Sequence, residues 1–107
     1  SMASARLKVP KKAKKGDIIT VKSLIKHKME TGQRKGKDGK PIPRMIIKKV
    51  SATYNGVEVF SADWAPAVSA NPFLSFKVRA TESGTIELKW TDDNGKVVSQ
   101  SAKITVQ

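Results

Sequence analysis

Asn55-Gly56 stands between two alternating apolar runs, and this dipeptide constrains the fold more than any other feature of the chain. A type I′ turn needs positive φ at both central residues, which Asn-Gly supplies at little steric cost, so the pair predicts a β-hairpin. Met45 to Tyr54 is the incoming strand, with Ile46, Val50, Ala52 and Tyr54 sharing a face, and Val57 to Phe60 is the return.

Period-two alternation continues along most of the chain, with no stripe at helical spacing. Arg6 to Val9 is a short first strand ended by Pro10 and a basic KKAKKGD turn. Ile18 to His27 follows, with Ile19, Val21 and Ile25 on one parity; Leu24 breaks the pattern, so a bulge or a strand covered on both faces is expected there. Phe73 to Arg79 places Leu74, Phe76 and Val78 inward, and Ile86, Leu88 and Trp90 alternate with Glu87, Lys89 and Thr91. The run DDNG closes a second hairpin onto Val97 to Val106, a long C-terminal strand expected at a sheet edge, where a partner can pair. Seven such strands in 107 residues predict an all-β fold, an immunoglobulin-like antiparallel β-sandwich without the antibody disulfide, since there is no cysteine. The expected organisation is one domain over 6–107, after a cloning remnant or unstructured N-terminus at 1–5.

Charge narrows the partners. The 21 Lys+Arg against 9 Asp+Glu give +12, a bias toward anionic partners such as nucleic acid, phospholipid or an acidic protein face. Residues 6–49 hold 16 cations and 3 anions, whereas residues 50–107 hold 5 and 6, so the positive field is assigned to the first half. No apolar run approaches the ~18 residues of a spanning helix, and no export signal opens the chain. Membrane insertion is not expected.

HKMETGQRKGKDGKPIPR, residues 27–44, interrupts the strands with glycines, prolines and cations around the single histidine. His27 has no second His or any Cys nearby to complete a zinc or copper site, so no metal and no cofactor is assigned. Enzymatic activity is not expected, because there is no G-x-S-x-G elbow and no positioned base. The loop's glycines lack the spacing of a phosphate-cradling motif, and no helix follows to aim its amides at an anion.

A basic nucleic-acid-binding β-domain is the rival reading, since phosphates can be held without a motif. Its weak point is aromatics. Readers of single strands interleave exposed rings with cations, and here only Trp64 and Phe73, flanking APAVSANP, are placed for exposure.

Three blocks taken together, HKMETGQRKGKDGKPIPR at 27–44, SANPF at 69–73 and ESGTIELKWTDDNG at 82–95, resemble the SoxZ family. Its members are the non-cysteine subunits of the SoxYZ carrier complex of bacterial thiosulfate oxidation. The resemblance covers the chain from Arg6 onward. It implies a non-catalytic sandwich subunit that forms a heterodimer with SoxY, whose C-terminal cysteine arm carries sulfur intermediates among the enzymes of the pathway. It also implies a periplasmic location reached by co-export with SoxY, transient contacts with those enzymes, and no nucleic-acid partner. On this reading the loop is a partner-recognition element comprising His27, Met29, Glu30, Thr31, Gly32, Arg34, Lys35, Lys37 and Arg44. Trp64, Asn71, Pro72 and Phe73 form a second contact segment. Arg34, Lys35 and Lys37 are expected to be exposed loop charges whose reversal to Glu leaves folding nearly unchanged.

Overall fold

The computed structural model describes residues 4–27, 29–64 and 72–107. Asn55 and Gly56 adopt φ of 50° and 81°, so the expected hairpin forms, joining β4 (Ile47–Tyr54) to β5 (Val57–Asp63). The turn is further pinned by the Asn55 side chain, whose Oδ1 accepts from the Thr85 amide at 2.8 Å while Nδ2 donates to the Ser83 carbonyl at 3.2 Å. A Cβ placed on Gly84 would lie 1.7 Å from that Oδ1, so the close approach needs glycine.

The remaining strands are β1 (Ser4–Lys8), β2 (Lys12–Ala13), β3 (Ile18–Lys26), β6 (Phe73–Arg79), β7 (Gly84–Asp92) and β8 (Val97–Val106). They form a three-stranded sheet in the order β1-β3-β6 and a five-stranded sheet in the order β2-β8-β7-β4-β5. The first strand starts at Ser4, two residues before the sequence-based boundary. Val9-Pro10 lies where the chain leaves the first sheet and β2 joins the second, pairing parallel to β8 through Lys12↔Thr105 and Ala13↔Val106. Proline suits that crossing because it has no amide to give to a ladder.

Between the sheets lies the core of Ile19, Val21, Ile25, Ile47, Val50, Ala52, Tyr54, Val78, Ile86, Leu88, Trp90 and Ile104, all buried. Phe60 of β5 stacks on Phe76 of β6, with centroids 4.6 Å apart, and closes one side. At one end of the sandwich the Tyr54 hydroxyl donates to the Glu82 carbonyl and accepts from the amides of Thr81 and Glu82, fixing the turn into β7.

Three local readings are corrected. Leu24 marks no bulge: β3 keeps one register against both neighbours, and the inward slot is filled by Ser23, which is buried and hydrogen-bonds the Leu74 carbonyl at 3.4 Å. Leu24 points outward, half-buried beside Phe73. The irregularities fall in β4, at Ala52/Thr53 and Ile47/Lys49; the extra residue at the second puts Ile47, rather than the expected Ile46, on the core face with Val50, Ala52 and Tyr54, and leaves Lys48 and Lys49 both exposed. The C-terminal strand is not open along its whole length, because β2 covers its last two residues; at the opposite edge of that sheet lies β5, with Val57 and Val59 exposed.

Candidate functional site

The end of β3, the start of β4, the end of β5, the start of β6 and the β7–β8 turn all meet at one pole of the sandwich. Topology therefore brings the 27–45 loop, Trp64 and Pro72-Phe73 to the same pole, though they are far apart in sequence.

The loop is built, not slack. At its base Glu30 and Met45 exchange backbone hydrogen bonds of 2.7 and 2.8 Å. Farther out the Ile42 amide donates to the Arg34 carbonyl at 2.7 Å, and a tight turn at Gly36–Lys40 closes the tip, with Gly39 at φ +77°. The Asp38 carboxylate accepts from the Lys40 amide there. The excursion is thus a small ribbon, and Asp38-Gly39 was its unread turn signal.

Most residues of the M-E-T-G-x-R motif hold this shape. Glu30 is buried, and its carboxylate receives both Nη2 (2.5 Å) and Nε (3.3 Å) of Arg34, a planar fork on a planar acceptor. The bond to Glu30, with its charge, raises the Arg34 pKa. Thr31 Oγ1 accepts from the Gln33 amide. Gly32 turns at φ +89°, where an added Cβ would sit 3.4 Å from the Arg44 Cβ. Met29 packs on the core.

Arg44 is also committed. Its Nε and Nη2 contact the two carboxylate oxygens of Asp93 at 2.9 and 2.6 Å, and Asp93 in turn accepts from the Ile46 amide at 3.1 Å. The Arg44 hydrogen bond leads the interactions that hold the Asp93 pKa below the usual carboxylate value. Its neighbour Asp92 is buried; Oδ1 accepts from the amides of Asn94 and Lys96, and Oδ2 lies 4.0 Å from His27 Nε2. His27 is nearly buried, and among the described residues its Nδ1 has no hydrogen-bond partner.

Asp92 and Asp93 were read from sequence only as turn residues, yet they anchor the loop to the β7–β8 turn. Nothing in their local sequence signals a contact with residues some fifty positions earlier. Arg34 is exposed as expected, its side chain 59% so, but it is bound to an acid only 11% exposed, a contact the sequence reading did not include. Lys35 and Lys37, with Lys40, are the exposed cations of the tip.

In the second segment Trp64 is half-buried against the core, its amide bonded to the Lys48 carbonyl at 2.9 Å. Pro72 is buried, and its carbonyl accepts from Ile25 at 3.3 Å. Phe73 is 63% exposed. Asn71 lies outside the described residues. Lys77 and Arg79 of β6 add to the positive charge of the first half of the chain, standing on the same outer sheet face as Lys22 of β3.

Comparison with solved structures places this arrangement among known sandwiches. A superoxide reductase (neelaredoxin) from Ignicoccus hospitalis is similar with a TM-score of 0.74 at 14% identity, over 97% of this chain and 80% of that one. The sulfur carrier protein SoxY from Chlorobium limicola f thiosulfatophilum is similar with a TM-score of 0.63 at 16% identity, over 96% and 78%. A CARDB domain from Pyrococcus furiosus follows at 0.57 and 14%, over 99% and 88%. At these identities the likeness shows the shared fold. Comparison with curated protein sequences gives no match. The family model described as sulphur oxidation protein SoxZ matches residues 7–103, which take in the loop, its aspartate anchors and both sheets, and the chain belongs to that family.

Proposed function

We propose that this protein is the non-catalytic partner subunit of a sulfur carrier complex. It pairs with SoxY, whose C-terminal cysteine arm carries covalent sulfur intermediates during thiosulfate oxidation, and meets the pathway enzymes transiently. The carrying observation is the family match over residues 7–103. The chemistry agrees: a thiolate near a thiosulfonate or persulfide adduct would attack it by exchange, and a scaffold without cysteine leaves such cargo intact. Location in the periplasm and co-export with SoxY belong to the same proposal.

Within it, the 27–45 ribbon is a recognition element. Glu30, Gly32, Arg34 and Arg44 set its shape through the contacts above, and Lys35, Lys37 and Lys40 present charge to an anionic partner. Trp64, Pro72 and Phe73 border the same pole.

Co-purification with a tagged SoxY-like protein encoded beside this chain tests the proposal. A stable heterodimer is expected, together with no turnover of thiosulfate by the single chain; failure to assemble, or turnover by the chain alone, overturns it. The nucleic-acid reading draws on the +12 charge and exposed Phe73. It requires tight oligonucleotide binding whose log K falls steeply with log salt, and a titration near physiological salt separates the two.

A further inference from the structure

We propose that the outer face of the β1-β3-β6 sheet is a docking surface for an acidic protein partner. The inference rests on the carrier-subunit reading and extends it to a surface distinct from the 27–45 loop.

Charge is segregated between the sheets. Register places Arg6, Lys8, Lys22, Lys26, Lys77 and Arg79 on the outward parity of the three strands, opposite the core-facing Ile19, Val21 and Val78. All six are exposed. None of the three strands contains an aspartate or glutamate. In the other sheet, β4, β5, β7 and β8 mix Lys48, Lys49, Lys89 and Lys103 with Glu58, Asp63, Glu87 and Asp92.

The arrangement repels itself. Lys8 stands directly across from Lys22 in the β1–β3 ladder, and like charges in directly opposed positions destabilise a sheet. An anionic occupant would relieve this repulsion and make the concentration of cations favourable.

Beside the charges lies an apolar foothold. Arg6, Leu24 and Phe73 occupy one cross-strand row, and a shallow groove of about 510 Å³ is lined by them together with Lys8 and Lys22. A cation row around one exposed ring suits an acidic protein surface carrying an apolar side chain, the pattern of an anchored hot spot with a charged rim. Single-stranded nucleic acid readers stack successive bases on several rings, whereas this face has Phe73 alone. Interfacial lipid binding scales with inserted apolar area, and the exposed large apolar side chains here are Ile18 and Phe73, at opposite ends of the face. Nine residues of β3 and three strands span roughly 30 Å by 10–15 Å, below the ~800 Å² per partner of a stable interface. The surface therefore fits a transient encounter.

The test uses a glutamate-rich peptide containing one leucine as probe, read by fluorescence anisotropy and by amide shifts in NMR. Lys22→Glu/Lys77→Glu on the face is compared with Lys35→Glu/Lys37→Glu in the loop, which changes net charge equally. Expected are shifts centred on Arg6, Lys22, Leu24, Phe73 and Lys77, about tenfold or greater weakening in the face variant, and less than about threefold in the loop variant. Phe73→Ala, which leaves charge untouched, should also weaken binding severalfold. No peptide binding at low salt, equal losses in the two double variants, or preferred binding of oligothymidylate or phosphatidylglycerol vesicles overturns the proposal. Unfolding midpoints of the variants separate lost binding from lost fold. Co-purification with SoxY is read separately on the wild-type chain, so failure of the docking surface is distinguishable from failure of the carrier-subunit reading.

Discussion

Arg34 closes on Glu30 four residues earlier through two hydrogen bonds, and the acid it meets is mostly buried while its own side chain is largely exposed. Reversing Arg34 to Glu takes the guanidinium away from a mostly buried carboxylate and places a like charge near it. The Arg34→Glu variant should therefore unfold at lower urea concentration than wild type, with Arg34→Gln between them. Lys35→Glu and Lys37→Glu should each stay within about 0.5 kcal/mol of wild type. Equal midpoints for all four variants would show that the fork does not hold the loop.

The Arg44–Asp93 pair sets an acid limit for the same loop. Because the folded pKa of Asp93 is depressed, chiefly by Arg44, its ionised form contributes stability that is fully present above the ordinary carboxylate value. That contribution is lost as pH falls through the depressed folded value. Wild type should exceed Asp93→Asn in stability at neutral pH, and the gap should close below about pH 4. Urea titrations across that range check the sign; a gap independent of pH would assign the effect to packing.

Gly84 carries the sandwich at the pole away from the loop. A methyl group there meets the Asn55 amide at 1.7 Å, and that amide is held by the Thr85 and Ser83 backbone, so displacement breaks the turn's own bonds. Gly84→Ala should cost about 1–3 kcal/mol. Asn55→Gly in the same chain keeps the positive φ and removes the obstruction, so the double variant should be more stable than the two single losses predict. Strict additivity in thermal unfolding would show that the two residues do not collide.

Lys8 and Lys22 invite the opposite kind of substitution. Lys22→Glu turns a directly opposed like pair into an ion pair and should raise stability by about 0.2–1 kcal/mol at low ionic strength, with less gain at high salt. A variant more stable than wild type yet weaker in binding the acidic peptide would separate the two roles of this face. A loss of stability would mean the lysines do not repel.

Loop charge should appear in association kinetics. On the proposed carrier-subunit function, Lys35→Glu/Lys37→Glu should slow association of the SoxY heterodimer with at least one processing enzyme, and the wild-type rate should fall with added salt. Assembly with SoxY should survive, since a permanent interface relies on apolar burial that these side chains lack. Stopped-flow rates at low salt that match wild type would reduce the ribbon to a connector.

Much of the architecture was legible because its determinants are local. Alternation at Ile19, Val21 and Ile25, the positive-φ pair Asn55-Gly56 and the DDNG turn each state strand or turn within a few residues. Leu24 misled because parity is counted by hydrophobicity, and the inward place belongs to Ser23, a polar residue whose hydroxyl has a carbonyl to bond. The loop's motif was visible as a motif, but its mechanics were not: Arg44 reaches Asp93 across 49 positions, and Asp92 lies beside His27 only because β3 and β7 end at one pole.

The sequence by itself determined the all-β class, the hairpins, the absence of thiol chemistry and the excess of positive charge, since composition and short-range periodicity carry all four. The placement of that charge was decided only in three dimensions. Pairing β1 and β6 to either side of β3 brought Arg6, Lys22 and Lys77 onto one face whose strands carry no acid, while the acids of β5 and β7 went to the other sheet. Strand order depends on which apolar faces pack across the core, a long-range choice that does not follow from the spacing of charges along the chain.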